Sequence, residues 1–150
     1  MRGEVDHPGV AVAGVGVALA LVAGGTYWWF GGLPTSVAPP PADAQPHDVV
    51  KTYLKALDGH DCQRAERLWV DQSKDTWCDE VASIDLRHID APRSVVEPGS
   101  GEYAVVQVRF DVDWRPFQDV STEEGDLTWS YTLTRPGAGQ PWRLFSEGMG

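Results

Sequence analysis

The two cysteines are the residues of this sequence with the clearest chemical meaning. Cys62 and Cys78 are its only thiols. A Cys-x-x-Cys redox motif needs a shorter spacing, and a zinc site needs four ligands. In an oxidising compartment an even pair forms a disulfide, and closing that loop stabilises the folded domain. We therefore predict a structural Cys62–Cys78 disulfide, with no metal and no other cofactor.

A histidine with a nearby carboxylate is the main candidate for acid–base chemistry. His88 follows Ile84 and Leu86 at strand spacing, which predicts that its side chain shares their inward face, and Asp90 comes two residues later. A histidine beside an aspartate in a cavity is what a general base needs. The alternative is a histidine at the rim of the core with a backbone partner, and we expect no catalytic residue.

Charged residues alternate along one predicted strand, at Arg109, Asp111, Asp113 and Arg115. Side chains two residues apart on a strand point to the same face, so this set could form an acid–base pair or a cation site. The opposite set is wholly apolar. We therefore predict that the charged set lies on a solvated face with cross-strand ion pairs.

Large aromatic side chains occupy many of the positions predicted to face inward. A domain of this size needs such residues for its core, and in an open fold some of them would line an apolar pocket. The residues that could line such a pocket, together with His88, are Tyr53, Trp69, Phe110, Trp114, Trp129 and Tyr131.

The composition limits the class of protein. The chain has 150 residues, with 22 acidic and 12 basic side chains and a formal net charge of −10. Binding to nucleic acid is not expected, because phosphate binding needs clustered Lys and Arg. The length allows one folded domain with at most one appendage. The bias towards Arg over Lys, together with the absence of Asn, favours a bacterial source.

An uncharged and mostly apolar segment covers residues 10–30. A helix of this length spans about 31 Å at ~1.5 Å per residue, which matches the ~30 Å hydrocarbon core of a membrane. Its last four residues are aromatic, as is typical of a membrane–water interface. We predict a retained transmembrane helix. A cleaved signal peptide and a buried helix of a soluble protein are the alternatives.

Charge and proline content organise the chain around that helix. Arg2 is the only basic residue before Lys51, which predicts that the N-terminus, 1–9, is cytoplasmic. Residues 31–46 hold five of the eleven prolines and predict an extended spacer. Residues 47–150 would then form the extracytoplasmic domain of a single-pass protein of the cell membrane. A domain that faces the cytoplasm is the alternative.

The spacing of apolar residues changes from helical to strand-like within 47–150. Residues 49–57 show helical spacing, Gly59 ends that helix, and Asp61 can cap a second, short helix. From Ile84 onward apolar and polar residues alternate, which is typical of antiparallel strands with one packed face. This order predicts an α+β domain with helices packed against one face of a curved antiparallel sheet.

Several segments together form a family-like pattern. They are the helix over 49–57, its break at Asp58-Gly59-His60-Asp61, a short helix with Ala65, and the closing strand Trp142-Arg143-Leu144. The pattern resembles the nuclear transport factor two-like superfamily. The resemblance implies a cone in which a bent sheet wraps over a long helix, with a cavity at the open end. Some members are enzymes, such as ketosteroid isomerase and polyketide cyclases. Many bacterial members are non-catalytic domains on one transmembrane helix, as in mammalian-cell-entry-associated membrane proteins.

The catalytic residues of the enzymatic members of that superfamily can be compared with this sequence. The isomerase type needs an inward-facing Asp and an oxyanion donor, whereas the predicted inward positions over 104–114 are all apolar. We therefore expect a membrane-anchored binding or interaction domain without catalytic activity. Its partner would be an envelope protein, a second copy of the chain, or a small apolar ligand. The alternative is an isomerase- or cyclase-like enzyme that uses the cone cavity.

Overall fold

The computed structural model describes residues 33–74, 76–97, 101–116 and 122–149. Helices come first in the chain: α1 (Pro46–Asp58), α2 (Cys62–Arg67) and a short 3-10 helix (Trp77–Asp79). The strands follow: β1 (Val81–Ile89), β2 (Arg93–Glu97), β3 (Gly101–Trp114), β4 (Gly125–Arg135) and β5 (Arg143–Met149). The protein is a mixed α+β domain with a curved antiparallel sheet, as the order of patterns predicts.

The long strand β3 organises the sheet. The strand order is β1-β3-β4-β5, and the pairings between the five strands are antiparallel. β1 pairs with the second half of β3, and β2 pairs with its first half. The two strands therefore form one interrupted edge, with the chain bending between Ile89 and Arg93. β2 is not among the strands predicted from the sequence.

The alternation predicted for β3 is confirmed. Its even-numbered side chains from Ala104 to Trp114 are buried, and α1 packs against this inner face of the sheet. On the outer face, Arg87 donates a hydrogen bond to Asp111, and Ser83 donates one to Asp113. Arg115 departs from the predicted solvated set. It lies beyond the end of β3, and its Nε donates to the backbone carbonyl of Val81 at 3.1 Å.

The N-terminal segment that leads into α1 lies against the domain from Thr35 onward. The Thr35 amide donates to the Gly59 carbonyl at 2.7 Å, and the Val37 amide donates to Asp61 Oδ2 at 2.8 Å. The other carboxylate oxygen of Asp61 caps α2 by accepting from the Arg64 amide. The segment predicted as a spacer over 31–46 is therefore hydrogen-bonded to the domain at Thr35 and Val37.

The predicted transmembrane helix over 10–30 and the cytoplasmic N-terminus over 1–9 lie outside the described residues. Within the ranges that the structure covers, no helix is both long enough and apolar enough to cross a membrane.

Candidate functional site

The predicted disulfide is confirmed. Cys62, at the start of α2, is bonded to Cys78 in the 3-10 helix, with their Cα atoms 5.5 Å apart. The neighbouring Trp77 packs edge-on against Trp129 and Trp114, with ring centroids 4.9 Å and 5.7 Å away. The disulfide therefore fastens the short helix that places an indole ring against the aromatic core.

The six aromatic residues named as candidate pocket lining lie together in the interior. Tyr53, Trp69, Phe110 and Tyr131 are fully buried, and Trp114 and Trp129 are each 9% exposed. The Tyr53 ring makes T-shaped contacts with Trp69 at 5.7 Å and with Tyr131 at 5.6 Å. These residues pack as a core, and their use as the lining of a ligand pocket stays a prediction.

His88 lies on the opposite side of the sheet from the predicted one. A β-bulge between Leu86 and His88 shifts the register, so that Leu86 pairs with the inward-facing Phe110 while His88 pairs with Arg109. The histidine side chain is 66% exposed, and its Nε2 lies 3.0 Å from Asp90. It therefore borders a shallow outer cleft of about 220 Å³ rather than the interior. The prediction that His88 faces inward is therefore wrong, because the bulge adds one residue to the alternation.

A second bulge places the carboxylate of Glu147 in the interior, which the sequence analysis did not predict. In β5, Leu144 pairs with Leu133 and Ser146 pairs with Thr132, which leaves Phe145 between them. Simple alternation from the buried Leu144 would turn Glu147 outward. The inserted residue reverses this, and Glu147 pairs directly with the inward-facing Tyr131.

Four side chains form what we call the interior polar cluster: Tyr53, Trp69, Tyr131 and Glu147. The two tyrosine hydroxyls, the Trp69 indole nitrogen and Glu147 Oε2 are all buried. The Tyr131 hydroxyl and Glu147 Oε2 have no hydrogen-bond partner among the described residues, and the Tyr53 hydroxyl has only a weak one, the Trp69 indole. Leaving a buried polar group unsatisfied costs about 1–3 kcal/mol, so such groups are rare in folded proteins. The indole nitrogens of Trp114 and Trp129 are also buried without a described partner. The interior polar cluster differs from them because it contains a carboxylate, and it is therefore the candidate binding site.

Lys74 separates this cluster from solvent. Its Nζ lies 2.9 Å from Glu147 Oε1 and 3.6 Å from the centroid of the Trp69 ring. The lysine side chain is 31% exposed, whereas that of Glu147 is 9% exposed. A molecule from solvent would therefore meet Lys74 before it reached Glu147.

Burial controls the protonation of the two tyrosines. Desolvation raises the pKa of Tyr53 far above its usual value, and the negative charge of Glu147 raises it further, while a weak hydrogen bond from the Trp69 indole lowers it. Burial likewise raises the pKa of Tyr131, with added contributions from Tyr53 and Glu147. Both residues are therefore neutral hydroxyls that can donate or accept a hydrogen bond at physiological pH.

These raised pKa values predict a loss of stability at alkaline pH. A tyrosine whose pKa is higher in the folded than in the unfolded state contributes stability below pH ~10 and loses it above, by about 1.4 kcal/mol per pH unit. We expect urea midpoints to fall steeply from pH ~10 upward. The double variant Y53F/Y131F should flatten this dependence, and Y103F, which alters a tyrosine on the outer face, should leave it unchanged. An equal fall in all three proteins would contradict the prediction.

The fold and the cluster define a disulfide-bonded α+β domain with a polar site inside an aromatic core. No family model, curated protein or solved structure matches the chain. In the part of the chain that the structure covers, no three His, Cys, Asp or Glu side chains are grouped as metal ligands.

Proposed function

We propose that this chain is a membrane-anchored, extracytoplasmic binding domain without catalytic activity, which takes up a small, mainly apolar ligand. The observation that carries the proposal is the interior polar cluster. Ligand sites are typically apolar cavities with a few convergent polar groups. Here the Tyr131 hydroxyl and one carboxylate oxygen of Glu147 lie without a partner among the described residues, close to the Tyr53 hydroxyl and to buried aromatic rings.

The chemistry of the cluster indicates how such a ligand would be held. A polar group on the ligand would donate a hydrogen bond to Glu147 Oε2 and accept one from Tyr53 or Tyr131. Binding would give hydrogen-bond partners to buried polar groups, which cost free energy when they stay unpaired. The apolar part of the ligand would contact the aromatic side chains that surround the cluster.

Three observations support the proposed location. The segment over 10–30 has the length and the absence of charge of a membrane-spanning helix. The Cys62–Cys78 disulfide is typical of compartments outside the cytoplasm. The sequence pattern resembles membrane-anchored members of the nuclear transport factor two-like superfamily, and we propose that the curved sheet and α1 form the cone of that superfamily.

An isomerase- or cyclase-like enzyme is the second candidate, and one observation favours it. Glu147 is an inward-facing carboxylate beside two neutral tyrosine hydroxyls, which are the groups that proton abstraction next to a carbonyl requires. The catalytic base would then be Glu147 rather than the exposed His88. Under this alternative, E147Q would abolish turnover while H88A would leave it unchanged.

The binding proposal is tested with cyclohexanol, a small apolar probe with one hydroxyl group. Calorimetric titration of the full-length protein in detergent micelles should give a dissociation constant between about 1 mM and 1 µM, as expected for a ligand of this size. Y53F/Y131F, in the same micelles, should lose this binding yet stay folded, because the Tyr131 hydroxyl has no partner among the described residues and the Tyr53 hydroxyl has only a weak one, the Trp69 indole. Identical titrations of the two proteins would overturn the proposal.

The location is tested by alkylating thiols in intact cells before lysis. A domain outside the cytoplasm should show no free thiol, because both cysteines are in the disulfide. The protein should also fractionate with membranes at its full, uncleaved mass. Alkylation of both cysteines would place the domain in the cytoplasm, and a soluble form that begins near Leu21 would identify residues 10–30 as a cleaved signal peptide.

A further inference from the structure

The site proposed above already contains an ammonium group. The Lys74 Nζ lies between the Glu147 carboxylate, at 2.9 Å, and the face of the Trp69 ring, at 3.6 Å from its centroid. A carboxylate combined with an aromatic face is the arrangement that binds organic ammonium ions, through a charge-assisted hydrogen bond and a cation–π contact. The contacts of Lys74 thus indicate that this part of the protein accommodates an ammonium group.

The deeper part of the cluster matches a second ammonium ion. Three buried oxygens can accept hydrogen bonds there: Glu147 Oε2 and the hydroxyls of Tyr53 and Tyr131. A primary ammonium has three N–H donors, whereas a hydroxyl has one. A primary ammonium therefore has as many donors as the cluster has acceptors, and the carboxylate would offset the desolvation of its charge.

Two ammonium ions would compete for Glu147. Like charges at such short range repel each other strongly inside a protein, so the ammonium group of the ligand would replace that of Lys74. The lysine can leave, because its side chain is partly exposed and the preceding residues 70–73 are exposed. The net charge of −10 also favours the approach of a cation from solvent.

We propose that the interior polar cluster binds a primary ammonium ion carried on a small apolar group, and that Lys74 occupies the site as a built-in competitor in the free protein. This inference rests on the proposed binding function and specifies its ligand class. Removing Lys74 should tighten binding, because the ligand no longer has to displace the lysine ammonium from Glu147.

The test compares cyclohexylamine with cyclohexanol at pH 7, where the amine is protonated, by titration of the full-length protein in micelles. K74Q should bind cyclohexylamine about tenfold more tightly than the unmodified protein does, and E147Q should lose this binding. K55Q is the matched control, since it removes the same charge from an exposed lysine on α1, and it should bind like the unmodified protein. Thermal unfolding verifies that each variant is folded.

Each remaining outcome overturns a defined part of the argument. Binding of cyclohexanol without binding of cyclohexylamine overturns the ammonium inference and leaves the proposed function intact. A K74Q variant that binds the amine no better than K55Q, or more weakly, shows that Lys74 is not a competitor. If neither probe binds to any variant, the proposed function fails and this inference fails with it.

Discussion

Removal of the Cys62–Cys78 disulfide is expected to lower the free energy of unfolding by about 3 kcal/mol. The two cysteines are 16 residues apart, and in the chain-entropy model closing a loop of about this length restricts the unfolded chain by that amount. Small domains have a total stability of only about 5–15 kcal/mol, so the loss is a large fraction of it. The enclosed segment includes exposed polar residues over 71–73, which burial does not hold in place.

The measurement is urea unfolding of the full-length protein, followed by tryptophan fluorescence, with and without a thiol reductant. The double variant C62A/C78A should unfold at the same lower urea concentration as the reduced protein, and the reductant should have no further effect on it. Trp77 should become more exposed in both, because its helix is no longer fastened to α2. Equal midpoints for the oxidised and reduced proteins would show that packing alone holds this segment.

The regular parts of the fold could be predicted from the sequence because their patterns are local. Helical spacing over 49–57 predicted α1, and Asp61 caps α2 as predicted by accepting from the Arg64 amide at 3.1 Å. The alternation of apolar and polar residues over 104–114 correctly predicted which side chains of β3 face inward. Each of these elements is determined by residues adjacent in sequence, so no knowledge of tertiary pairing was needed.

Tyr53, Trp69 and Tyr131 of the interior polar cluster were predicted to face inward, and they do. The positions of His88 and Glu147 could not be predicted, because each depends on a bulge. The bulge before His88 moves that side chain out of the interior, and the bulge around Phe145 moves Glu147 into it. A bulge changes the alternation by one residue and so exchanges the faces of everything that follows. Neither bulge contains a glycine or a residue with positive φ that would mark it in the sequence. The position of each bulge follows from pairing with a neighbouring strand, which the local pattern does not contain.

The assignment of faces leads to the second prediction, which compares two phenylalanines. Phe110 is fully buried on the inner face, whereas Phe145 is 55% exposed at the bulge in β5. F110A should lower the free energy of unfolding by about 3–5 kcal/mol, because it removes buried apolar surface and leaves a cavity in a packed core. F145A should cost less than about 1.5 kcal/mol, the contribution expected from one exposed aromatic pair. Its ring contacts only that of Tyr103 among the described aromatic contacts, at 6.3 Å.

Urea unfolding of both variants, measured under the conditions used for the disulfide, tests this difference. The comparison is well matched, since both substitutions remove the same atoms and both positions lie in strands. It also tests the position of Phe145 in β5, where this residue lies between Leu144 and Ser146 without a partner in β4. If F145A were as destabilising as F110A, Phe145 would be a core residue. Phe145 would then pack inward beside Leu144, and the register of β5 described here, which leaves Phe145 outside the pairing with β4, would be wrong.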